Sequence, residues 1–255
     1  MCYTVSIYAK THAIEAAMGA TFDDETEYQP YVHVTGYAHP FLPFITNKRP
    51  KALQMMSWGL IPKWARTEQA AADIRDKTLN ARIETLFEKP SFKQAAMHRT
   101  GLLPVQGFLE WHHGYRRKDP YLVRHKSEVF LTLGCIWEEW VNPRSGEVVP
   151  SLSIITTPSN KLMSWVHNAR KRMPLIVPPG DREAWLKGIA PEDVERLQSP
   201  FPDGELEAIR LKDEVSKVRI NIGDISLHEA VGDPLSVAPF DSLNLDVLGI
   251  ASSRQ

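Results

Sequence analysis

Cys2, Glu110 and His167 have the chemistry of a nucleophile and its acid–base partners, and Cys2 sits where chain processing changes what it can do. Removal of Met1 generally requires a small second residue, and cysteine qualifies. The product would carry an α-amine and a thiol on adjacent carbons. Their unperturbed pKa values of about 8 and about 8.5 leave both partly nucleophilic near neutral pH. Such an amine condenses with an aldehyde to a Schiff base, and the thiol then closes on the imine carbon to give a five-membered thiazolidine. No internal cysteine can do this. Position alone is equally met by an incidental second residue.

The other candidates read as follows. Glu110 ends the apolar run Gly107-Phe108-Leu109-Glu110-Trp111. Strand alternation puts it on one face with Phe108, with Leu109 and Trp111 on the other. A carboxyl in apolar surroundings has a raised pKa and suits general acid–base work, although a strand-end salt bridge also fits. His167 lies in Trp165-Val166-His167-Asn168-Ala169-Arg170-Lys171-Arg172-Met173-Pro174. Neighbouring cations favour its neutral form, and the same cations suit phosphate; a solvated charged loop is the plain alternative. Asn80 and Arg82 belong to Asn80-Ala81-Arg82-Ile83-Glu84-Thr85, where Asn80 can donate and accept and Arg82 can fork onto phosphate, or the segment can simply cap a turn. Cys135 lies in an apolar strand and reads as core. His112 and His113 are adjacent and neither cysteine has a ligand-spaced partner, so no metal is expected. Nor is there a phosphate-cradling glycine loop or a Gly-x-Ser-x-Gly elbow, and no cofactor is implied.

The elements that must position these groups belong to an ordinary globular chain of 255 residues, 43% hydrophobic and 24% charged. Its net charge is −1, so a nucleic-acid partner would have to be held by a local basic patch. No apolar stretch is long enough for a membrane helix, no secretory signal layout is present, and two cysteines fall short of a disulfide scaffold. The expected compartment is the reducing cytoplasm. The 19 scattered prolines argue for many short elements. Helices are expected over Thr11–Ala20, Lys89–His98, from a Ser159 cap through Trp165, from an Asp181 cap through Leu186, and over Pro191–Leu197. Thr67–Lys77 fits a helix or a mobile loop. Strands are expected over Ala52–Ile61, Leu102–Trp111, Tyr121–His125, Val129–Trp137, Ser151–Thr157 and Glu207–Lys212, with Phe22–Phe44 loop-like. Without a regular β-α-β rhythm, these imply an α+β fold: a mostly antiparallel sheet or small β-barrel core surrounded by short helices. One domain over residues 1–237 and a tail over 238–255 are expected.

Taken in order, the segments resemble the SOS response-associated peptidase family. They are Met1-Cys2, Trp58-Gly59-Leu60-Ile61-Pro62-Lys63-Trp64-Ala65, the Asn80–Thr85 hexapeptide, Gly107–Trp111, Pro120-Tyr121, Gly134–Glu138, Ile155–Asn160, His167 and Arg172-Met173-Pro174. The resemblance implies covalent capture of abasic sites in single-stranded DNA by the mature N-terminal cysteine, which shields a labile lesion as part of the DNA damage response. It implies that Cys2 is the nucleophile, that Glu110 assists sugar ring opening and proton transfer, and that His167 shuttles protons. It further implies that Asn80 bonds at the reacting cysteine, that Arg82 and Arg172 contact phosphate, and that Trp64 supports the unstacked strand. A monomer is expected.

The sequence departs from the family pattern in three places. Tyr3-Thr4 replaces Gly-Arg after the cysteine. Extra residues separate His167 from Arg172, so Arg170 can replace or supplement Arg172 at phosphate. His33–Pro40 replaces a usual Asn-x-Ala-Pro. The same catalytic residues also suit a cysteine peptidase or N-terminal-nucleophile hydrolase without a DNA role, and retention of Met1 would favour a non-catalytic adaptor.

Overall fold

Leu102–Trp111, expected as one strand, forms two. The chain turns at Gln106, whose side-chain carbonyl accepts the backbone N–H groups of Tyr8 and Ala9 at 2.7 Å each. Gly107 follows because a Cβ there would lie 2.8 Å from the Val123 carbonyl oxygen and from the Leu122 side chain. The two halves enter different sheets.

The computed structural model describes residues 2–236, and the tail expected from 238 lies outside them. In chain order the strands begin with β1 (Thr4–Ile7), β2 (Thr21–Phe22), β3 (Tyr31–Thr35), β4 (Phe41–Thr46), β5 (Arg49–Trp58) and β6 (Asn80–Arg82). They continue with β7 (Thr100–Val105), β8 (Gly107–His113), β9 (Lys118–His125), β10 (Leu131–Val141) and β11 (Val148–Pro158). Last come β12 (Arg172–Pro174), β13 (Leu206–Arg210) and β14 (Ile220–Ile222). Short helices fill the connections: α1 (Thr11–Met18), α2 (Glu68–Arg75), α3 (Lys93–His98), α4 (Lys161–Val166), α5 (Arg182–Leu186) and α6 (Val194–Leu197).

One six-stranded sheet runs β13-β9-β8-β1-β3-β14. A second runs β12-β11-β10-β7-β4-β5-β2, with β6 added on β11. Parallel pairing of Ser151 and Leu152 on β11 with Ser57 and Trp58 on β5 closes β5-β4-β7-β10-β11 into a five-stranded barrel. The α+β class with a small barrel and short helices is therefore the architecture observed. Its main core includes Trp58, Trp137, Phe44 and Phe108, all 2% exposed or less. Closure draws the walls tight: a Cβ at Gly101 would meet the Phe44 ring at 2.3 Å. On β8 the alternation holds, since Phe108 joins this core while Leu109 and Trp111 face a separate cluster with Leu122, Ile209, Leu211 and Val215.

Other element expectations shift by local chemistry. The loop-like stretch Phe22–Phe44 contains β3 and the start of β4. Pro30 directly precedes β3, where a missing N–H is tolerated, while Pro43 lies within β4 opposite Met55 of β5, before the Ile45–Thr46 stretch that pairs with β7. Asn160, not Ser159, caps α4, its side chain accepting from the Met163 N–H at 2.8 Å. Thr67–Lys77 is helical in its centre, capped by Thr67 on the Ala70 N–H at 3.1 Å. Among the described residues no helix is long and apolar enough to cross a membrane.

Candidate active site

β1 is an interior strand. Val5 pairs with Val34 of β3 on one side and with Phe108 of β8 on the other. That placement leads Cys2 into the protein, where it is 0% exposed. The Asn80 side-chain amide donates to the Cys2 carbonyl at 2.8 Å, and the Cys2 Sγ lies 3.8 Å from the Thr4 carbonyl oxygen. Asn80 is fixed in turn, because β6 runs parallel to β11 with Asn80 opposite Ile154. Burial pushes the Cys2 thiol well above its ordinary pKa, and the Glu110 carboxyl adds to the rise. Cys135 on β10, opposite Ile154 of β11, is a second fully buried thiol, packed in the core as expected of it.

Glu110 is 4% exposed and sits opposite Tyr121 of β9. Burial raises its carboxyl from 4.5 to about 8, against a lowering pull from the Arg170 charge. It is therefore mostly a neutral acid at pH 7. His167 closes the C-terminal end of α4 and is 6% exposed. Its pKa is lowered to about 4; burial is the largest cause, opposed by its bond to the Arg172 carbonyl, and the Arg170 charge lowers it further. Flanking cations led to the same direction from sequence, but burial is the main reason.

The tautomer follows from hydrogen bonding. His167 Nδ1 lies 2.9 Å from the Arg172 carbonyl oxygen, and a carbonyl only accepts, so Nδ1 carries the proton in the neutral ring. The basic Nε2 then points to Glu110, 3.8 Å from Oε2. An acid titrating at about 8 thus faces a base titrating at about 4. Such a pair can give a proton to a leaving oxygen and take one from an attacking group without a net change of charge.

The loop carrying His167 is pinned to the strand carrying Glu110. Asn168 accepts from the His113 N–H and donates to the His113 carbonyl, both at 3.0 Å. Lys171 takes φ 50°, and its N–H bonds back to the His167 carbonyl at 2.8 Å, which tightens the turn. Above the pair opens a cavity of about 480 Å³, lined by Tyr3, Glu110, Trp111, His113, Lys118, His167, Ala169, Arg170 and Ser216.

The structure thus brings Cys2, Asn80, Glu110, His167 and Arg170 to one place. Arg82 lies two residues beyond Asn80 on β6 and is exposed. Arg172 departs from the expected phosphate contact: it is 5% exposed and its guanidinium is held by both Glu84 oxygens and by the Thr156 carbonyl at 2.6 Å. Burial alone would raise the Glu84 carboxyl, yet its bonds to Arg172 and the local backbone hold it below the usual carboxylate range. Trp64 is 48% exposed and bonds the Pro90 carbonyl at 3.2 Å. It lines two other cavities that share no residue with the one above Glu110.

Sequence reasoning did not place His113 or Ser216 at the site. His113 faces Lys118 across the β8–β9 hairpin, a register that the turn Gly114–Arg117 could have suggested. Ser216 arrives from 105 residues away to accept from Trp111 Nε1 at 2.8 Å, and no local signal marks it.

Residues 1–218 match the family described as SOS response-associated peptidase. The abasic site processing protein YoqW of Bacillus subtilis is 32% identical over 203 residues, which cover 78% of this chain and 87% of that protein. The abasic site processing protein HMCES of Xenopus tropicalis is 31% identical over 53% of this chain and 45% of its own. A crystal structure of a protein from Bacteroides thetaiotaomicron superposes with a TM-score of 0.84 at 31% identity, covering 91% of this chain and 100% of that one.

Proposed function

The chain belongs to the SOS response-associated peptidase family, and from that premise we propose that it processes abasic sites in DNA by covalent capture through Cys2 after Met1 is removed. The observation that carries the reading is the neutral acid Glu110 facing the basic Nε2 of His167 at the cavity wall, with the buried Cys2, whose thiol feels the Glu110 carboxyl, held by Asn80.

The proposed sequence conserves atoms and charge. The ring-closed sugar opens when its anomeric hydroxyl loses a proton and its ring oxygen gains one, leaving an aldehyde and a C4′ hydroxyl. Glu110 supplies the proton and His167 Nε2 accepts one. His167 returns its proton to Glu110. The Cys2 amine then adds to the aldehyde carbon, one amine proton passing to the new hydroxyl. The carbinolamine hydroxyl leaves as water with a proton from Glu110 while the nitrogen gives its remaining proton to the carboxylate, giving the imine. The thiol adds across the C=N bond: sulfur bonds to carbon, and its proton ends on nitrogen. One water is released overall and a thiazolidine links protein to DNA. Lys118 and Arg170, both on the cavity wall, would hold phosphates on either side of the opened sugar.

The state of the thiol separates this reading from a cysteine peptidase. A peptidase needs a thiolate beside an imidazole, which low pKa values serve. Burial here moves the Cys2 thiol the other way, and His167 Nε2 faces Glu110. A neutral thiol adding to an imine after the amine has reacted needs no standing thiolate. The test is incubation of the processed protein with single-stranded DNA holding one abasic site, followed by a denaturing gel. A retarded band lost in Cys2→Ala supports covalent capture; no adduct with processed wild-type protein refutes it. Duplex DNA with the same lesion, run alongside, tests the single-strand preference.

A further inference from the structure

Tyr3 stands where the family resemblance places glycine, and its ring is not an idle substitution. It forms part of the cavity wall beside Glu110 and Arg170. It also packs against Tyr37, with ring centroids 5.3 Å apart and planes tilted by 32°. The pair is built in. The Tyr3 carbonyl accepts the Gly36 N–H at 2.8 Å, next to the Thr4–Thr35 pairing of β1 and β3. Gly36 itself is wedged on the buried Trp58 indole, where a Cβ would meet ring carbons at 3.0 Å. Burial raises the Tyr3 phenol from 10.0 to about 12, and the neighbouring Tyr37 adds to the rise. Tyr37 is nevertheless 43% exposed. An aromatic surface therefore runs from the cavity wall outward to solvent, with its inner end next to the Arg170 cation.

An abasic nucleotide has lost its base, so the base beside it lacks a stacking neighbour on one face. A fixed aromatic ring can take that place, and every base offers a π-face to it. We propose that Tyr3 and Tyr37 form a stacking platform for the nucleobase adjacent to the abasic sugar, and that this platform makes the protein favour a purine there. Purines present the larger stacking face. This rests on the abasic-site reading above and adds the recognition of the neighbouring base to it. The groups around the platform differ in kind: Glu110 and Arg170 share the cavity wall with Tyr3, while Gly36 holds the Tyr3 carbonyl and packs on Trp58.

The probe is a single strand holding 2-aminopurine next to a tetrahydrofuran abasic analogue, placed on the 5′ side in one oligonucleotide and on the 3′ side in another. The analogue has no aldehyde, so binding is read without crosslinking. The expected result is a change of 2-aminopurine emission on binding for one of the two placements, retained in Tyr37→Phe and lost in Tyr37→Ala. Tyr37→Ala should also weaken binding by about tenfold. A purine neighbour should bind more tightly than a pyrimidine in the wild type, and this gap should close in Tyr37→Ala. If emission is unchanged at both placements while the aldehydic strand still crosslinks, the platform is refuted and abasic-site capture stands. If the strand neither binds nor crosslinks, both readings fail together.

Discussion

Glu110→Gln keeps the shape of the side chain and removes its proton, so it isolates what the buried acid contributes. A carboxyl titrating at about 8 is roughly nine-tenths protonated at pH 7. At its ordinary value of 4.5 it would hold a proton about three times in a thousand. Burial therefore enriches the acid form by a factor of about 300 at neutral pH. Loss of a positioned general acid costs roughly 10²–10⁴ in rate, and the variant is expected within the lower half of that range. The assay is single-turnover adduct formation on an abasic single strand from pH 5 to pH 10. Wild-type rate should fall about tenfold per pH unit above pH 8, as Glu110 ionises. The Cys2 amine runs the other way, since it becomes more nucleophilic as it loses its proton, so it cannot produce that fall. In Glu110→Gln the alkaline fall should vanish and the overall rate should be low. A variant within a few-fold of wild type, or one that keeps the alkaline fall at the same pH, would refute the role assigned to this carboxyl.

The same groups set a stability profile that calorimetry can follow. Glu110, with a folded pKa raised from 4.5 to about 8, contributes stability below 4.5 that is lost as pH rises through 8. His167, lowered from 6.5 to about 4, contributes stability above 6.5 that is lost as pH falls through 4. Glu110→Gln should flatten the first slope, and His167→Gln the second. Arg172→Met removes one member of a largely buried ion pair with Glu84; melting should fall by on the order of 10 °C, with folding and not phosphate binding as the main loss. If melting is unchanged and only DNA affinity drops, Arg172 is a phosphate contact after all. Asn168→Ala cuts both bonds to His113 and should slow adduct formation with little change in melting, and a wild-type rate would show that the clip does not position His167. Gly101→Ala forces a Cβ into Phe44 and the Ile45 carbonyl and should destabilise by about 1–3 kcal/mol or prevent folding, as urea titration would show.

Local chemistry in the sequence reached far into the site. Glu110 declares itself because it ends a short apolar segment whose alternation fixes the side-chain direction, whereas Asn80 was marked only by what its amide can donate and accept. The fate of Arg172 was invisible for the opposite reason. Its partner Glu84 lies 88 residues away and its other acceptor, Thr156, sits across the β11–β12 pairing, so a basic run in the sequence looked like one solvated cluster. Only the fold divides that run into a buried Arg172 and an exposed Arg170. Barrel closure was equally hidden. It depends on the parallel contact of β5 with β11, roughly a hundred residues apart, where neither strand's composition differs from an ordinary sheet strand. The break at Gln106 was missed because Val105 and Phe108 read as one apolar run; the cue was Gly107, where the backbone of β9 approaches too closely for any side chain.

The seat of Cys2 has a consequence for how long anything attached to it survives. Chain ends commonly fray, but this one leads straight into a strand held by β3 and β8 and is anchored by the Asn80 amide. Amides of Thr4–Ile7 should exchange with solvent only through global opening. A protease trimming the protein from an adduct needs an extended, unpaired stretch of chain, and the stretch nearest the bond is among the last to become available. Under the proposed capture through Cys2, the persistence of the last peptide on DNA would be governed by the unfolding rate of the whole domain, and agents that unfold proteins, not those that merely nick loops, would set the clock for its removal.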